Sequence, residues 1–282
     1  MILVTGATGT VGGEVVRQLV AAKIPARALI RDSGRAGAVP TGAEIVVGAL
    51  DNREALTRAC GGVEAVFLGS FEHPRMLELQ ANVIAAAKAA GAARMARLSA
   101  LSASVESPHA FARRHGMGDR QVLTSGLGGI ALQPTWFNQN FLTYFPKGVL
   151  RMPVGAGRIP FIDVRDIAQV AIAALTRPGW EGGAIELTGP EALSHAEVAA
   201  ILSAATGRSF RFEDDSVATF SARSRAEGMD EDYLDVLLGL YARVRDGESA
   251  RVRSGVEDVL GRKPIAFNDF ARDHAAALVR QL

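Results

Sequence analysis

A chain of 282 residues, 48% of them hydrophobic, is long enough for a sizeable core in one large or two smaller domains, and too apolar to stay disordered. Its 31 basic and 30 acidic residues leave a net charge of +1, which gives no electrostatic reason to expect a nucleic acid or an anionic membrane as partner. One cysteine, Cys60, excludes an internal disulfide and a cysteine metal cluster, and no cluster elsewhere has metal-ligand spacing. No run of about 18 apolar residues is present to span a membrane. A strand pattern begins at residue 2, so no signal peptide is expected and the cytoplasm is the default compartment.

The chain opens on Ile2-Leu3-Val4, followed by glycines at 6, 9 and 12 and then by Val11, Val15, Val16, Leu19 and Val20 at helical spacing. This reads as a strand turning sharply into a helix, where free backbone N–H groups and the positive helix end suit a pyrophosphate. Gly6 allows the tight turn, Gly9 the approach of phosphate and Gly12 the packing of helix on strand. A second strand, residues 26–30, ends in Arg31-Asp32. An acidic residue at that place reads the ribose 2′-hydroxyl of NAD. A guanidinium instead pairs with a 2′-phosphate, so Arg31, assisted by Arg35, favours NADP(H) over the reading in which Asp32 holds the ribose.

Further strands are expected at 44–47, 65–68, 94–98 and 129–132, with helices at 52–60, 75–90 and 110–125 between them. Strands alternating with helices imply crossover units and a Rossmann-like, doubly wound parallel sheet, an α/β fold. Cys60 closes one of these helices and is expected to be partly buried, while Arg113-Arg114 reads as a solvated helix face. After Asn140 the pattern loosens. Residues 144–155 look like loop, 158–162 extended, 163–175 helical with Asp163 and Asp166 serving the helix dipole, and 184–187 a strand. Ser194 and Glu197 form a capping box for a helix ending near Gly207, with His195 at its solvated start. Helices follow at 217–227 and 230–245, and 268–282 is amphipathic. Residues 1–140 are read as the NADP-binding domain and 141–282 as a smaller, mostly helical substrate lobe, with segments near 155–190 returning to the main sheet. Trp136, Phe137 and Phe141 follow the sixth strand, where a substrate cleft should open. They suit a flat, aromatic substrate or, equally, a core between the lobes. Asn140 orients a polar substrate group or caps the next segment. His73 and His109, each beside a proline, read as loop residues.

The segments VTGATGTVG, ALIRD, GVEAVFL, SGLGGIALQPTWFNQNF, GRIPFIDVRDIAQVA and LGRKPIAFNDFARDHA resemble the atypical short-chain dehydrogenase/reductases, in the branch similar to the NmrA regulator and to NADPH:quinone oxidoreductases. The resemblance spans nearly the whole chain. It implies that Gly6, Thr8, Gly9, Thr10 and Val11 hold the pyrophosphate and Arg31 the 2′-phosphate. By the same resemblance Leu50 and Gly69-Ser70-Phe71 flank the adenosine and bridging ribose, and Pro134 to Trp136 lie beside the nicotinamide. A typical member also carries a serine after the fifth strand and a Tyr-x-x-x-Lys on the next helix. Here Ser99 matches the serine, but the other two positions fall on Phe111 and His115, and phenylalanine has no proton to give. Asp119 stands for the usual glutamate and Gln133 for a common arginine. The three tyrosines, Tyr144, Tyr233 and Tyr241, all lie outside this helix.

The expected activity is therefore NADPH-dependent reduction of a ketone or quinone on an aromatic, polyketide-like substrate, as in antibiotic-tailoring ketoreductases of the branch. The proton would come from substrate, water, Ser99 or His115. Ser102 and Ser104 are candidates near the substrate or plain loop hydroxyls, and His115 is a proton shuttle or a surface histidine. The alternative is a non-catalytic NADP(H) sensor, which alone would call for a protein partner.

Overall fold

The computed structural model describes residues 1–69 and 73–282, so the expectations for Ser70 and Phe71 fall outside the described residues. The chain divides into two compact units. The first comprises Met1–Pro134, Val164–Leu187 and Gly255–Arg262, the second Thr135–Asp163, Thr188–Ser254 and Lys263–Leu282.

The first unit is built on seven strands: β1 (Ile2–Thr5), β2 (Ala26–Ile30), β3 (Glu44–Val47), β4 (Ala65–Leu68), β5 (Arg94–Leu98), β6 (Gly128–Pro134) and β9 (Ala184–Leu187). They pair in parallel in the order β3-β2-β1-β4-β5-β6-β9. Parallel neighbours require crossovers, and these are supplied by α1 (Thr10–Ala21), α2 (Arg53–Cys60), α3 (Met76–Ala89), α4 (Ala110–Leu123) and α5 (Val164–Thr176), with α9 (Gly255–Leu260) packed on α5. The central strands are apolar on both faces, as helices on both sides demand: β1, β2 and β4 are buried at every position, while the edge strand β3 leaves Ile45 and Val47 exposed. One core cluster joins Leu3, Leu29, Leu56, Val66, Leu68, Val83, Met95 and Val122. Order reverses at β1, whose neighbours are β2 on one side and β4 on the other, so the carboxyl ends of β1 and β4 form the switch point where this class of sheet binds ligands.

The second unit has a phenylalanine-rich core of Phe141, Phe145, Phe161, Phe210, Phe220, Phe267 and Phe270. Two small sheets brace it. One joins β7 (Val149–Met152) in parallel to β11 (Arg211–Asp214); the other joins β8 (Arg158–Ile159) antiparallel to β10 (Leu193–Ser194). Helices α6 (His195–Thr206), α7 (Val217–Ala226), α8 (Glu231–Arg245), α10 (Phe267–Asp273) and α11 (Ala275–Val279) complete it. The expected capping box on α6 is formed, Ser194 and Glu197 each bonding the other's backbone N–H, and Gly207 takes the left-handed conformation at the helix end.

Several local expectations are corrected. The segment read as loop at 144–155 contains β7, which acquires its hydrogen bonds from a strand about sixty residues later (Val149 with Arg211). His195 is not at a solvated helix start: it is 1% exposed, wedged among the rings of Phe141, Phe161 and Phe212. Burial without a charge to pair holds its imidazole down at about 4, so it is neutral at ordinary pH. Asp163 and Asp166 do more than serve a dipole. Both are fully buried, Asp163 accepting from Gln139 Nε2 at 2.8 Å and Asp166 pairing with Arg262 at 2.6 Å. Arg113 and Arg114 are half-buried and not a solvated face; Arg113 Nη1 donates to the carbonyls of Ser107 and Pro108. Cys60 is wholly, not partly, buried, and burial pushes its thiol up to about 11. Among the described residues no helix is long and apolar enough to cross a membrane.

Candidate nucleotide site and a buried polar network

The turn between β1 and α1 is shaped by its glycines. Gly6 sits at φ +64°, in the left-handed region, and accepts the Gly9 N–H through its carbonyl at 2.9 Å. A Cβ on Gly12 would lie 2.3 Å from that same carbonyl oxygen, so α1 is seated on the turn at a distance only glycine permits. Gly9 caps α1 with no side-chain hydrogen bond, and no acidic residue stands in the first turn. The first intrahelical bond is made by Gly13 to Gly9, so the N–H groups of Thr10, Val11 and Gly12 have no helical acceptor. This cradle of amides at a positive helix end fits a pyrophosphate.

At the end of β2, Arg31 is exposed, and among the described residues its guanidinium has no partner. Asp32 is engaged elsewhere. It caps the short 3-10 turn Ser33–Ala38, its carboxylate accepting the Gly34 N–H at 2.8 Å. Arg35 Nη2 reaches the Thr8 carbonyl at 3.1 Å and so ties this turn to the glycine turn. Leu50 is half-buried, with its carbonyl accepting from Asn82. Gly69 closes onto β1, its N–H donating to Thr5 Oγ1 at 2.8 Å, and a Cβ there would meet the Thr5 carbonyl at 2.8 Å.

Beyond β5, Ser99 N–H donates to the Leu132 carbonyl and Leu101 N–H to that of Pro134, so the chain leaving β5 stays zipped to β6. Ser102, at φ +64°, turns it away. The Ser99 hydroxyl donates to Asp119 Oδ2 at 2.8 Å. The same oxygen accepts from Gln133 Nε2 at 2.9 Å, and Oδ1 accepts from Arg97 Nη1 at 2.6 Å. Arg97 Nε donates to Gln80 Oε1 at 2.9 Å. Arg97 and Gln80 are completely buried and Ser99, Asp119 and Gln133 nearly so. Gly118, in the middle of α4, makes room: a Cβ there would lie 2.4 Å from Arg97 Nη2. Sequence reasoning singled out Ser99, Asp119 and Gln133 but missed Arg97 and Gln80. The available signal was a charged residue inside the apolar strand MARL, which a doubly covered sheet admits only when it is paired.

Phe111 and His115, one turn apart on α4, touch ring to ring with centroids 4.6 Å apart. His115 is 5% exposed, so the reading of a surface histidine is corrected: the small residues of α4 turn this face inward. Ser104 serves the loop before α4, its Oγ accepting the Glu106 N–H.

In the second unit Trp136, half-buried, stacks on Tyr241 with centroids 5.8 Å apart. Phe137 bridges to Ile162, and Asn140 donates its N–H to the Phe137 carbonyl. Phe141 belongs to the core of this unit, edge-on to Tyr144, Phe161 and Phe267. Burial pushes the Tyr144 phenol up to about 12 and that of Tyr241 also upward, so both are protonated at neutral pH. Among the described residues no group of His, Cys, Asp and Glu could hold a metal ion.

The chain is similar to known proteins along nearly its whole length. The chain is 41% identical over 282 residues to an NAD(P)H azoreductase of Xenophilus azovorans, covering 98% of this chain and 99% of that one. It is 38% identical over 284 residues to a (4-alkanoyl-5-oxo-2,5-dihydrofuran-3-yl)methyl phosphate reductase of Streptomyces griseus, covering 98% and 99%. The structure matches an NADPH-dependent quinone oxidoreductase of Escherichia coli complexed with NADPH, with a TM-score of 0.83, 27% identity and coverage of 97% and 99%. The model of the NmrA-like family matches residues 1–234, and on that match and those relatives the chain belongs to the NmrA-like family.

Proposed function

We propose that the protein is an NADPH-dependent reductase whose acceptor is a flat conjugated carbonyl compound, a quinone or a polycyclic aryl ketone. The observation that carries this reading is the glycine turn at the head of α1, with three amides lacking helical acceptors and a helix packed too closely for any side chain at position 12. Bound NADPH supplies a hydride; everything else is asked of the chain. Gly6, Thr8, Gly9, Thr10, Val11 and Gly12 cradle the pyrophosphate. Arg31 takes the 2′-phosphate while Asp32, engaged by Gly34, does not compete for the ribose. Leu50 and Gly69 border the adenosine and its ribose, and Pro134 closes β6 on the nicotinamide side. Relatives named as NAD(P)H azoreductase and as a reductase of an oxo-dihydrofuran support the reductase class.

Within the second unit, the half-buried ring of Trp136 on Tyr241, with Phe137 and Asn140 close by in the chain, offers a flat apolar surface with one amide, which suits a conjugated ring. Of the candidate proton donors around β5 and α4, neither Phe111 nor Ser99 stands ready as a general acid. Phe111 carries no proton, and the one hydroxyl hydrogen of Ser99 is engaged by Asp119. His115 packs on Phe111 and is read as a wall of the nicotinamide-ribose side. A general acid contributes typically about 10²- to 10⁴-fold, and a quinone needs little of it, because the oxygen it leaves is a stabilised phenolate that takes its proton from water. Electrons balance with one hydride from NADPH and one solvent proton per two-electron reduction. The sensor alternative rests on the missing tyrosine alone.

The test is NADPH oxidation, followed at the loss of its near-ultraviolet absorbance, against quinones, polycyclic aryl ketones and azo dyes. Turnover of quinones or aryl ketones with preference for NADPH over NADH is expected. Tight NADPH binding with no turnover of any acceptor would overturn the reading.

A further inference from the structure

The buried network fixes the polarity of Ser99. A hydroxyl has one hydrogen, and that of Ser99 points to Asp119 Oδ2 at 2.8 Å. An ionised carboxylate accepts only, and this one is held against Arg97 at 2.6 Å with both partners almost wholly out of solvent, so it offers nothing in return. Gln133 Nε2 fills the remaining side of Oδ2, and Gln80 anchors the other end of the guanidinium. What Ser99 has left for a ligand is its lone pairs.

Ser99 follows the carboxyl end of β5, and β5 stands two strands from β1 in the sheet, with β4 between. At about 4.8 Å per strand this sets Ser99 roughly 10 Å along the sheet from the glycine turn, about the reach of the nicotinamide half of a dinucleotide whose pyrophosphate lies on that turn. We propose that Arg97 and Asp119 are positioning residues that hold Ser99 as a hydrogen-bond acceptor for the carboxamide N–H of the bound nicotinamide, and not as a donor to the substrate oxygen. This rests on the NADPH-binding part of the reading above. It makes no use of the substrate class, and it leaves the proton of the reduction to water or substrate.

The probe is an analogue in which an acetyl group replaces the carboxamide, 3-acetylpyridine adenine dinucleotide phosphate, which lacks the N–H donors and keeps the riboses and phosphates. Dissociation constants of NADP+ and of this analogue are measured by calorimetry on the full chain, with no turnover involved. The native protein should bind NADP+ about tenfold more tightly than the analogue, the size expected for one lost hydrogen bond that leaves a polar group unmet. Ser99→Ala should weaken NADP+ by about that factor, leave the analogue unchanged and bring the ratio near one. Asp119→Asn cannot accept from Arg97, Ser99 and Gln133 at once: with its oxygen kept on Arg97 its amide faces Gln133 and donates to Ser99, so the serine hydrogen is freed to donate to the ring carbonyl of either nucleotide and the ratio falls although Ser99 is present. A merely structural role for Asp119 would weaken both nucleotides alike.

A Ser99→Ala protein that keeps the native ratio, or loses both nucleotides equally, overturns the proposal. So does a folded Asp119→Asn protein with the native ratio; should that variant not fold, Ser99→Ala decides. Absence of binding of either nucleotide to the native protein would instead remove the cofactor reading itself.

Discussion

Replacing Arg97 by methionine tests the buried network most directly. Arg97 is 0% exposed and its guanidinium holds Asp119 and Gln80 from the middle of β5. Methionine matches much of its stem but leaves the Asp119 carboxylate buried with, among the described residues, only the Ser99 hydroxyl and the Gln133 amide as side-chain donors. Breaking a buried pair at one end costs about 3–5 kcal/mol, which for a chain of this size is a fall of roughly 10 °C in melting midpoint. The double change Arg97→Met with Asp119→Asn removes both charges together. It should be less destabilised than the sum of the two single changes by about 2 kcal/mol. Because both partners are buried, the loss should persist at 1 M salt, where exposed pairs are screened within about 3 Å. Urea and thermal unfolding of the three variants measure this. A cost below about 1 kcal/mol for Arg97→Met, or strictly additive singles, would refute the claim that this pair is desolvated and structurally required.

Three other outcomes follow from the same structure. Arg31→Ala should weaken NADPH at least tenfold while leaving NADH within a factor of about two, since only the former carries the phosphate a guanidinium pairs with; equal losses in a binding titration would show that Arg31 does not meet it. Gly12→Ala places a methyl 2.3 Å from the Gly6 carbonyl oxygen, so it should lower the melting midpoint and abolish calorimetric nucleotide binding; native affinity would contradict the seating of α1. His195 has a folded value lowered to about 4, so between about pH 6.5 and 4 the unfolded chain binds the proton first and stability is lost as pH falls. The difference corresponds to about 3 kcal/mol, and His195→Leu should flatten that part of the urea-midpoint profile against pH; an unchanged slope would assign the acid loss elsewhere.

What could be read in advance depended on how local the determinants are. The β1–α1 turn was legible because three glycines within seven residues, a strand before and a helix after carry the whole signal. The α6 capping box was legible for the same reason. Ser99 could be located by its place after the fifth strand, but what its hydroxyl does could not. That depends on Arg97 from the same strand, Asp119 from α4, Gln133 from β6 and Gln80 from α3, four segments that meet only in the fold. Gly118 carries no signal of its own in the sequence; the reason for it is the Arg97 guanidinium lying against it. The β7–β11 pair escaped because each strand has four residues and neither alternates cleanly. His195 escaped because the rings that bury it come from 141, 161 and 212.

The placement of Cys60 bears on how the protein survives the compounds it is proposed to handle. Quinones are electrophiles that arylate sulfur, and they do so through the thiolate. The chain's single thiol is sealed at the end of α2, and its proton is held by desolvation far above neutral pH. Repeated exposure to reactive acceptors therefore leaves no sulfur handle for covalent poisoning, and mass spectrometry after long incubation with benzoquinone should find Cys60 without an adduct.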